Sequence, residues 1–399
     1  MQLGWIDFSK ADRDKVLDVI NLLQEEGAVD ELGIGIIRDW FANIFFPGTS
    51  TIQTRAKYFL IVPYVLKEVS EGKYGKDFNS ISKKIDEEER WCGNKLLEKD
   101  KNGVIGARVL PNAWVARKPS NIYWNGIRTL GIFKDDTLSI PNYLKLVSVL
   151  RKQKDNVKLG NRNDETDENE KDDKDAGDIA SFQFWNLPDT YNANWRENLT
   201  IRLLPEEAVF LREQIQKSIP DSLFAYLIKN QIDVERYDSF EALTEDLRGK
   251  VSHELEELML LACDFNRLVY LLRVRYNMIL SDDKNETATE EWKALENRIS
   301  SVNRIDLESV FDRMNIKNYR LKRFLLSSRE AFAANNIEGV DQLIKKREIE
   351  LKGQNRAKLN RIGEYPVDAW IGGGWLDYRL GDAKQLILDI YDGEGRTDV

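Results

Sequence analysis

The imidazole and thiol side chains on which much enzyme chemistry depends are scarce in this chain. His253 is the one histidine, and Cys92 and Cys263 are the two cysteines. A single imidazole leaves little room for nucleophile-and-base schemes built on histidine and excludes sites with several His ligands. Beside Glu254 it reads as a surface residue at a helix start. Two cysteines are too few for a disulfide framework or a structural zinc site, and a reducing compartment suits them. No Walker pattern, paired-cysteine motif or dinucleotide fingerprint occurs. The expectation is a non-enzymatic protein with no catalytic residue, no metal site and no cofactor.

Three local features could still carry chemistry. Glu350-Leu351-Lys352 matches the Glu-x-Lys end of a Mg²⁺-dependent nuclease site, with Asp341 as a further carboxylate. Such triplets sit on strands, whereas Val340, Leu343, Ile344, Arg347 and Leu351 follow helical spacing towards a C-cap at Gly353, so coincidence is the stronger reading. The turn Gly48-Thr49-Ser50-Thr51, followed by Arg55 and Lys57, offers hydroxyls and free amides to an anion, although simple N-capping explains the hydroxyls as well. Gly372-Gly373-Gly374, between Trp370 and Trp375, lacks the Lys and Ser/Thr of a phosphate loop and reads as a turn that lets two indoles pack.

Polyanion binding is the chemistry that remains. The net charge is -9, which on average repels nucleic acid and anionic membrane. Against that background, residues 101–134 carry Lys101, Arg108, Arg117, Lys118, Arg128 and Lys134 without one carboxylate. Within them Pro119-Ser120 opens a helix that Gly131 closes. Ile122, Tyr123, Ile127 and Leu130 form its apolar face, and Asn121, Asn125 and Arg128 lie on another. Asn and Arg read base edges, and Ile132-Phe133-Lys134 could begin a hairpin. Residues 119–130 therefore read as the recognition helix of a winged-helix-like element. The competing reading is a buried aromatic helix whose basic flank faces acidic segments, and Trp114 and Trp124 fit either base stacking or a core. A second acid-free run, 313–329, contains Lys317, Arg320, Lys322, Arg323 and Arg329, and 345–361 adds Arg356 and Lys358 among others. The candidate nucleic-acid-binding residues are Arg55, Lys57, Arg117, Lys118, Asn121, Asn125 and Arg128, then Lys322, Arg323, Arg356 and Lys358, converging on one phosphate-backbone groove.

The elements that must position these residues are mainly α, with little β-structure. A helix follows Ser9-Lys-Ala-Asp12, a second runs from about Leu32 to Phe46, and a third starts from Thr51 with a kink or break at Pro63. Further helices are expected at 205–215, 221–229, 240–248, 255–280, 288–300, 306–314, 319–334, 337–352 and 382–391. Short strands are expected at Val104–Val109 and Thr200–Leu204. The apolar run Leu255–Leu280 is broken by six charged residues, so it reads as a core helix rather than a membrane span. Residues 161–178 hold nine acids against three bases, a composition that cannot offset the entropy of ordering. The chain therefore reads as an N-terminal helical part (1–150), an acidic flexible linker (151–179) and a C-terminal helical part (180–399). Met1–Ser9 lacks a basic segment followed by an apolar one, and a cytoplasmic protein without membrane contact is expected.

The segments LGWIDFS (3–9), DELGIGIIRDWFANIFFPGTSTIQTRAKYFLIVPY (30–64), KPSNIYWNGIRTLGI (118–132) and LACDFNRLVYLLRVRYN (261–277) resemble an uncharacterised family of bacterial proteins of unknown function. The likeness extends over nearly the whole chain, including KKREIELKGQNRAKL (345–359) and DYRLGDAKQLILDI (377–390). Members of that family tend to be encoded beside helicases and phospholipase-D-like nucleases in anti-phage clusters. The resemblance implies a setting in defence and a nearby helicase or nuclease as partner, with no catalytic residue to carry over. The expected function is thus a non-enzymatic accessory subunit that binds DNA or a DNA-processing partner. A Mg²⁺-dependent nuclease at Glu350 and Lys352 is one alternative, and a pure protein scaffold is the other.

Overall fold

The computed structural model describes residues 30–72, 77–160, 184–192 and 194–395. The helix expected after Ser9 and the acidic stretch 161–178 lie outside them. In chain order the α-helices are α1 (Gly35–Phe45), α2 (Tyr58–Glu71), α3 (Phe78–Leu97), α4 (Pro119–Thr129), α5 (Ile140–Gly160), α6 (Pro205–Ser218), α7 (Leu223–Lys229), α8 (Phe240–Asp246), α9 (His253–Leu280), α10 (Glu286–Leu295), α11 (Leu307–Met314), α12 (Tyr319–Ala333), α13 (Ile337–Lys352) and α14 (Leu380–Gly393). Short 3-10 turns lie at Val234–Arg236, Glu296–Arg304 and Lys358–Asn360. The protein is mainly α, as its periodicity predicts.

The chain forms two compact units, each built from two stretches. One unites the described residues up to Ala42 with Asp238–Tyr378, and the other unites Asn43–Tyr237 with Arg379–Val399. These units are not divided at 151–179. Residues 151–160 continue α5, and the described residues on both sides of the acidic stretch belong to the second unit.

The first unit is organised by α9. Ser252 caps it by accepting from the Leu255 N–H (3.3 Å), and Leu258, Ala262, Phe265, Leu268, Val269, Leu272, Tyr276 and Ile279 are buried. Burying each large aliphatic or aromatic side chain contributes about 1.5–3 kcal/mol. Helices α8, α10 and α13 pack against it. Two buried asparagines on α9 hold the glycine-rich segment. Asn266 donates to the Leu376 carbonyl (2.9 Å) and accepts from its N–H (2.7 Å), and Asn277 does the same at Ile371 (2.9 and 2.7 Å). Eleven helical residues rise about 16 Å, and five residues of chain reach at most about 18 Å. Segment 371–376 therefore runs along the helix.

In the second unit α2 is buried from Tyr58 to Leu66 and stays helical through Pro63. The expected break is absent because α3 and α4 pack against α2, which offsets the roughly 3 kcal/mol that an interior proline costs. Helices α3 and α5 are additions to the sequence reading. For α3 the signal is present, since Asp77 accepts from the N–H groups of Asn79 (3.0 Å) and Ser80 (3.1 Å), and Ile81, Ile85, Cys92 and Leu96 form one buried stripe. Its charged run 86–90 hides that stripe.

The expected strands do not form. Residues 104–109 are consecutive turns, with Ala107 N–H bonding the Val104 carbonyl (3.1 Å) and Val109 N–H the Gly106 carbonyl (2.9 Å). Residues 200–204 are bends and coil between buried Ile201 and Leu203. After α4 no hairpin forms among the described residues. One isolated antiparallel bridge joins Phe133 to Trp185, flanked by Lys134 N–H to the Phe184 carbonyl and Asn186 N–H to the Ile132 carbonyl (both 2.8 Å). No described helix is long and apolar enough to cross a membrane.

Candidate nucleic-acid interface

Helix α4 is anchored before it is exposed. Pro119 occupies its first turn, where a missing N–H costs nothing. The Ser120 N–H and hydroxyl both donate to Glu89 of α3 (2.6 and 3.2 Å). Burial pushes the Glu89 carboxyl up to about 8, although the two Ser120 bonds pull the other way. Tyr123 hydroxyl accepts from the N–H groups of Thr54 (2.8 Å) and Arg55 (3.0 Å) and donates to the Arg55 carbonyl (2.9 Å). Trp124 belongs to an aromatic cluster with Phe133, Tyr143 and Trp185, and its indole donates to the Leu138 carbonyl (3.0 Å). Its buried face therefore matches the competing reading of the sequence, and Trp124 is core.

The opposite face carries polar candidates. Asn121 and Asn125 are exposed and Arg128 is half-buried, spaced four and three residues apart on one side and spanning about 10 Å. Arg128 donates to the Asp136 carbonyl (2.8 Å), and Asp135 lies nearby. Lys118 pairs with Asp86. Arg117 and Arg108 are exposed and have no carboxylate partner among the described residues.

Arg55 and Lys57 occupy a different place. Arg55 is buried against Asp389 of α14 (2.9 Å), whose carboxylate also accepts from the Ala56 N–H (2.7 Å). Lys57 is buried against Glu207, which also caps α6 through the Leu204 N–H (2.8 Å). Burial lowers the Lys57 ammonium against the opposing pull of Glu207. Both cations tie elements of the second unit together. The turn before them is likewise internal: Thr49 hydroxyl donates to the Phe46 carbonyl (2.7 Å), and Gln53 binds the Gly48 carbonyl (3.0 Å) and the Ser50 N–H (3.2 Å).

In the first unit Lys358 pairs with Glu31 (2.7 Å), and the exposed Arg356 donates to the Lys352 carbonyl (2.9 Å). Lys322 is half-buried with its ammonium 5.5 Å from the Phe311 ring centre. Arg323 is exposed, and Lys317 and Arg320, which the candidate list left out, are exposed beside it. None of these three has a carboxylate partner among the described residues. Tyr319, between them, is 72% exposed. All four sit at the start of α12, whose first turn holds no acid. Lys317, next to the cap, and Arg320, in the first turn, oppose the helix dipole by about 0.3–1 kcal/mol each. The pattern Lys-Asn-Tyr-Arg-Leu-Lys-Arg, with Asn318 as cap, was the signal that could have singled them out.

Glu350 and Lys352 close α13, and Lys352 lies 3.9 Å from Glu31. Asp341 is bound by Arg275 (2.6 Å) and sits nine residues, about 13 Å, before Glu350 along the helix. The structure does not bring the two carboxylates together. Glu348 points inward and accepts from Tyr276 hydroxyl (2.7 Å) and from the N–H groups of Lys358 (2.9 Å) and Leu359 (3.0 Å). No group of three or more His, Cys, Asp or Glu able to hold a metal occurs among the described residues. His253 is exposed at the start of α9, and both cysteines are buried thiols, with Cys263 pushed by burial up to about 11.

The model of a family of unknown function (DUF6361) matches residues 1–164. The match covers α1 to α5 of the described residues, including both Arg117 and the outer face of α4, and stops short of α12. No curated protein and no solved structure matches the chain.

Proposed function

We propose that the protein is a non-enzymatic accessory subunit that binds DNA through exposed cationic surfaces, leaving helicase and nuclease chemistry to partners. The observation that carries this reading is the start of α12: Lys317, Arg320 and Arg323 are exposed and have no carboxylate partner among the described residues, in a chain of net charge -9, with Tyr319 between them. A phosphate placed there would relieve the repulsion among the cations and their conflict with the helix dipole. Arg117 with Asn121, Asn125 and Arg128 forms a second candidate surface on the other unit, where Asn and Arg have the donors and acceptors to read base edges. Arg55, Lys57 and Lys358 fall outside the proposal, since carboxylates already satisfy them. The setting in anti-phage defence, and the helicase or nuclease partner, rest on the resemblance of the sequence segments alone.

A 20-base-pair duplex titrated by fluorescence anisotropy between 50 and 200 mM salt tests it. Log affinity should fall linearly with log salt. The double variant Arg320→Gln/Arg323→Gln should reduce that slope by about two and weaken binding roughly tenfold at the higher salt. Binding that ignores salt, or a variant indistinguishable from the parent, would overturn the assignment to α12.

A further inference from the structure

A cleft of ≈ 230 Å³ opens in the first unit, beside Trp375. Leu271, Leu295, Val302 and Ile305 give it an aliphatic floor. One wall is the indole of Trp375, which is 42% exposed. That indole is mounted rigidly. It stacks on buried Tyr270 with ring centres 4.0 Å apart and planes 20° from parallel, and Tyr270 in turn lies against Trp370 (6.3 Å, 29°). Both of its chain neighbours are held by buried side chains of α9: Asn266 brackets the backbone of Leu376, and Arg273 donates to the Gly374 carbonyl. Gly372 and Gly373, at φ +89° and +78°, supply the left-handed backbone that brings the segment over Arg273. Stacking on Tyr270 stabilises the covered part of the indole, but the part left in water adds nothing to the fold, and its fixed position prepares a stacking platform at little entropic cost on binding.

The polar rim narrows the ligand class. Arg304 lines the cleft, is exposed, and has no carboxylate partner among the described residues. On the α9 side Arg267 binds Oδ1 of Asp264 (2.9 Å) and reaches Glu241, and the Asp264 Oδ2, without a hydrogen-bond partner among the described residues, can accept from a donor. The volume is below the about 300–1,000 Å³ of drug-sized sites, which suits one planar ring system with its charged tail outside.

We infer that this cleft binds a nucleotide, with the base stacked on Trp375, a ring N–H or amino group donating to Asp264, and the phosphate on Arg304. The same chemistry is presented by a free mononucleotide and by an unpaired base of a nucleic-acid strand. The inference goes beyond duplex binding at α12 and stands independently of it.

Calorimetric titration of the full chain with dAMP, dGMP, dCMP and dTMP, and separately with a ten-nucleotide single strand, tests it. Saturable binding of a mononucleotide identifies a free-nucleotide site, and saturable binding of the strand alone identifies an unpaired-base site; either supports the inference. Trp375→Leu should then weaken binding at least about fivefold, the low end for base–aromatic stacking. Arg304→Gln, at an exposed unpaired position, should weaken the nucleotide and leave the matching nucleoside unchanged, which separates loss of the site from loss of folding. Arg320→Gln/Arg323→Gln should leave mononucleotide binding intact, so failure here is distinguishable from failure at α12. No saturable binding of any probe, or binding unaffected by both Trp375→Leu and Arg304→Gln, would overturn it.

Discussion

At Glu89 a carboxyl is sealed between α3 and the start of α4, and burial raises its pKa from 4.5 to about 8. The sign of the consequence is fixed by linkage. Below the unfolded value both states hold the proton, and as pH rises towards 8 the unfolded chain loses it while the folded chain keeps it, so stability falls. Glu89→Gln keeps an oxygen for the Ser120 N–H and removes the titration. The variant should match the parent near pH 5 and exceed it near pH 8 by a few kcal/mol, at up to about 1.4 kcal/mol per pH unit. Thermal unfolding of the two proteins at several pH values between 5 and 8 checks this, and parallel curves would show that residue 89 does not titrate in that window. The Arg55–Asp389 and Lys57–Glu207 pairs make the same point about context. Their sequence neighbourhood suggested an anion site, but the carboxylates that bury them come from positions 389 and 207, and no local spacing announces partners so remote.

At the scale of elements α4 decides what the second unit can offer. Gly126 faces the turn at Gly48, which itself needs φ +78°. A Cβ at 126 would lie 2.3 Å from the Gly48 carbonyl oxygen and 2.6 Å from the Phe59 ring. Alanine is the better helix former by about 1 kcal/mol, yet Gly126→Ala should destabilise, because two backbones must separate, at a cost of about 1–3 kcal/mol net. Asn125→Ala, one residue away on the exposed face, should change stability by less than about 0.5 kcal/mol. Urea unfolding of both variants is the measurement, and a neutral Gly126→Ala would mean that α4 is not docked this closely. This helix was legible from Pro119 to its closing glycine, and so was its division into an apolar and an Asn/Arg face. The winged-helix-like arrangement was not, since a hairpin depends on which strand pairs with 132–134. In the structure Phe184 and Trp185 supply a single bridge there.

The two compact units are each discontinuous in sequence, and that carries a prediction for the whole molecule. Residues 43–160 share a unit with 184–237 and α14, joined by Lys57–Glu207 and Arg55–Asp389. A chain divided within the acidic stretch, as fragments 1–165 and 175–399, splits the second unit, so fragment 1–165 should not unfold cooperatively alone and the two fragments should associate when mixed. Circular dichroism melts and gel filtration of each fragment and of the mixture test it. Two fragments that fold independently and elute separately would support a division into parts flanking 151–179. The family match ends at residue 164, so it covers only part of the longer of the two stretches, 43–237, from which the second unit is built.

Periodicity alone settled that the chain is helical and where most helices run, because capping residues and the three-to-four spacing of apolar side chains are local properties of the chain. The same locality made the basic runs and their lack of acids visible. Which cations stay free was decided by tertiary structure. Lys317, Arg320 and Arg323 remain exposed and meet no carboxylate among the described residues, while Lys358, Arg55 and Lys57 meet carboxylates more than a hundred residues distant. The mount of Trp375 has the same origin: Asn266 and Asn277 are ordinary residues in a helical stripe until a segment from a hundred residues later lies along them. An ion pair or an amide clamp needs contact in space, and only the packed chain determines which residues achieve it.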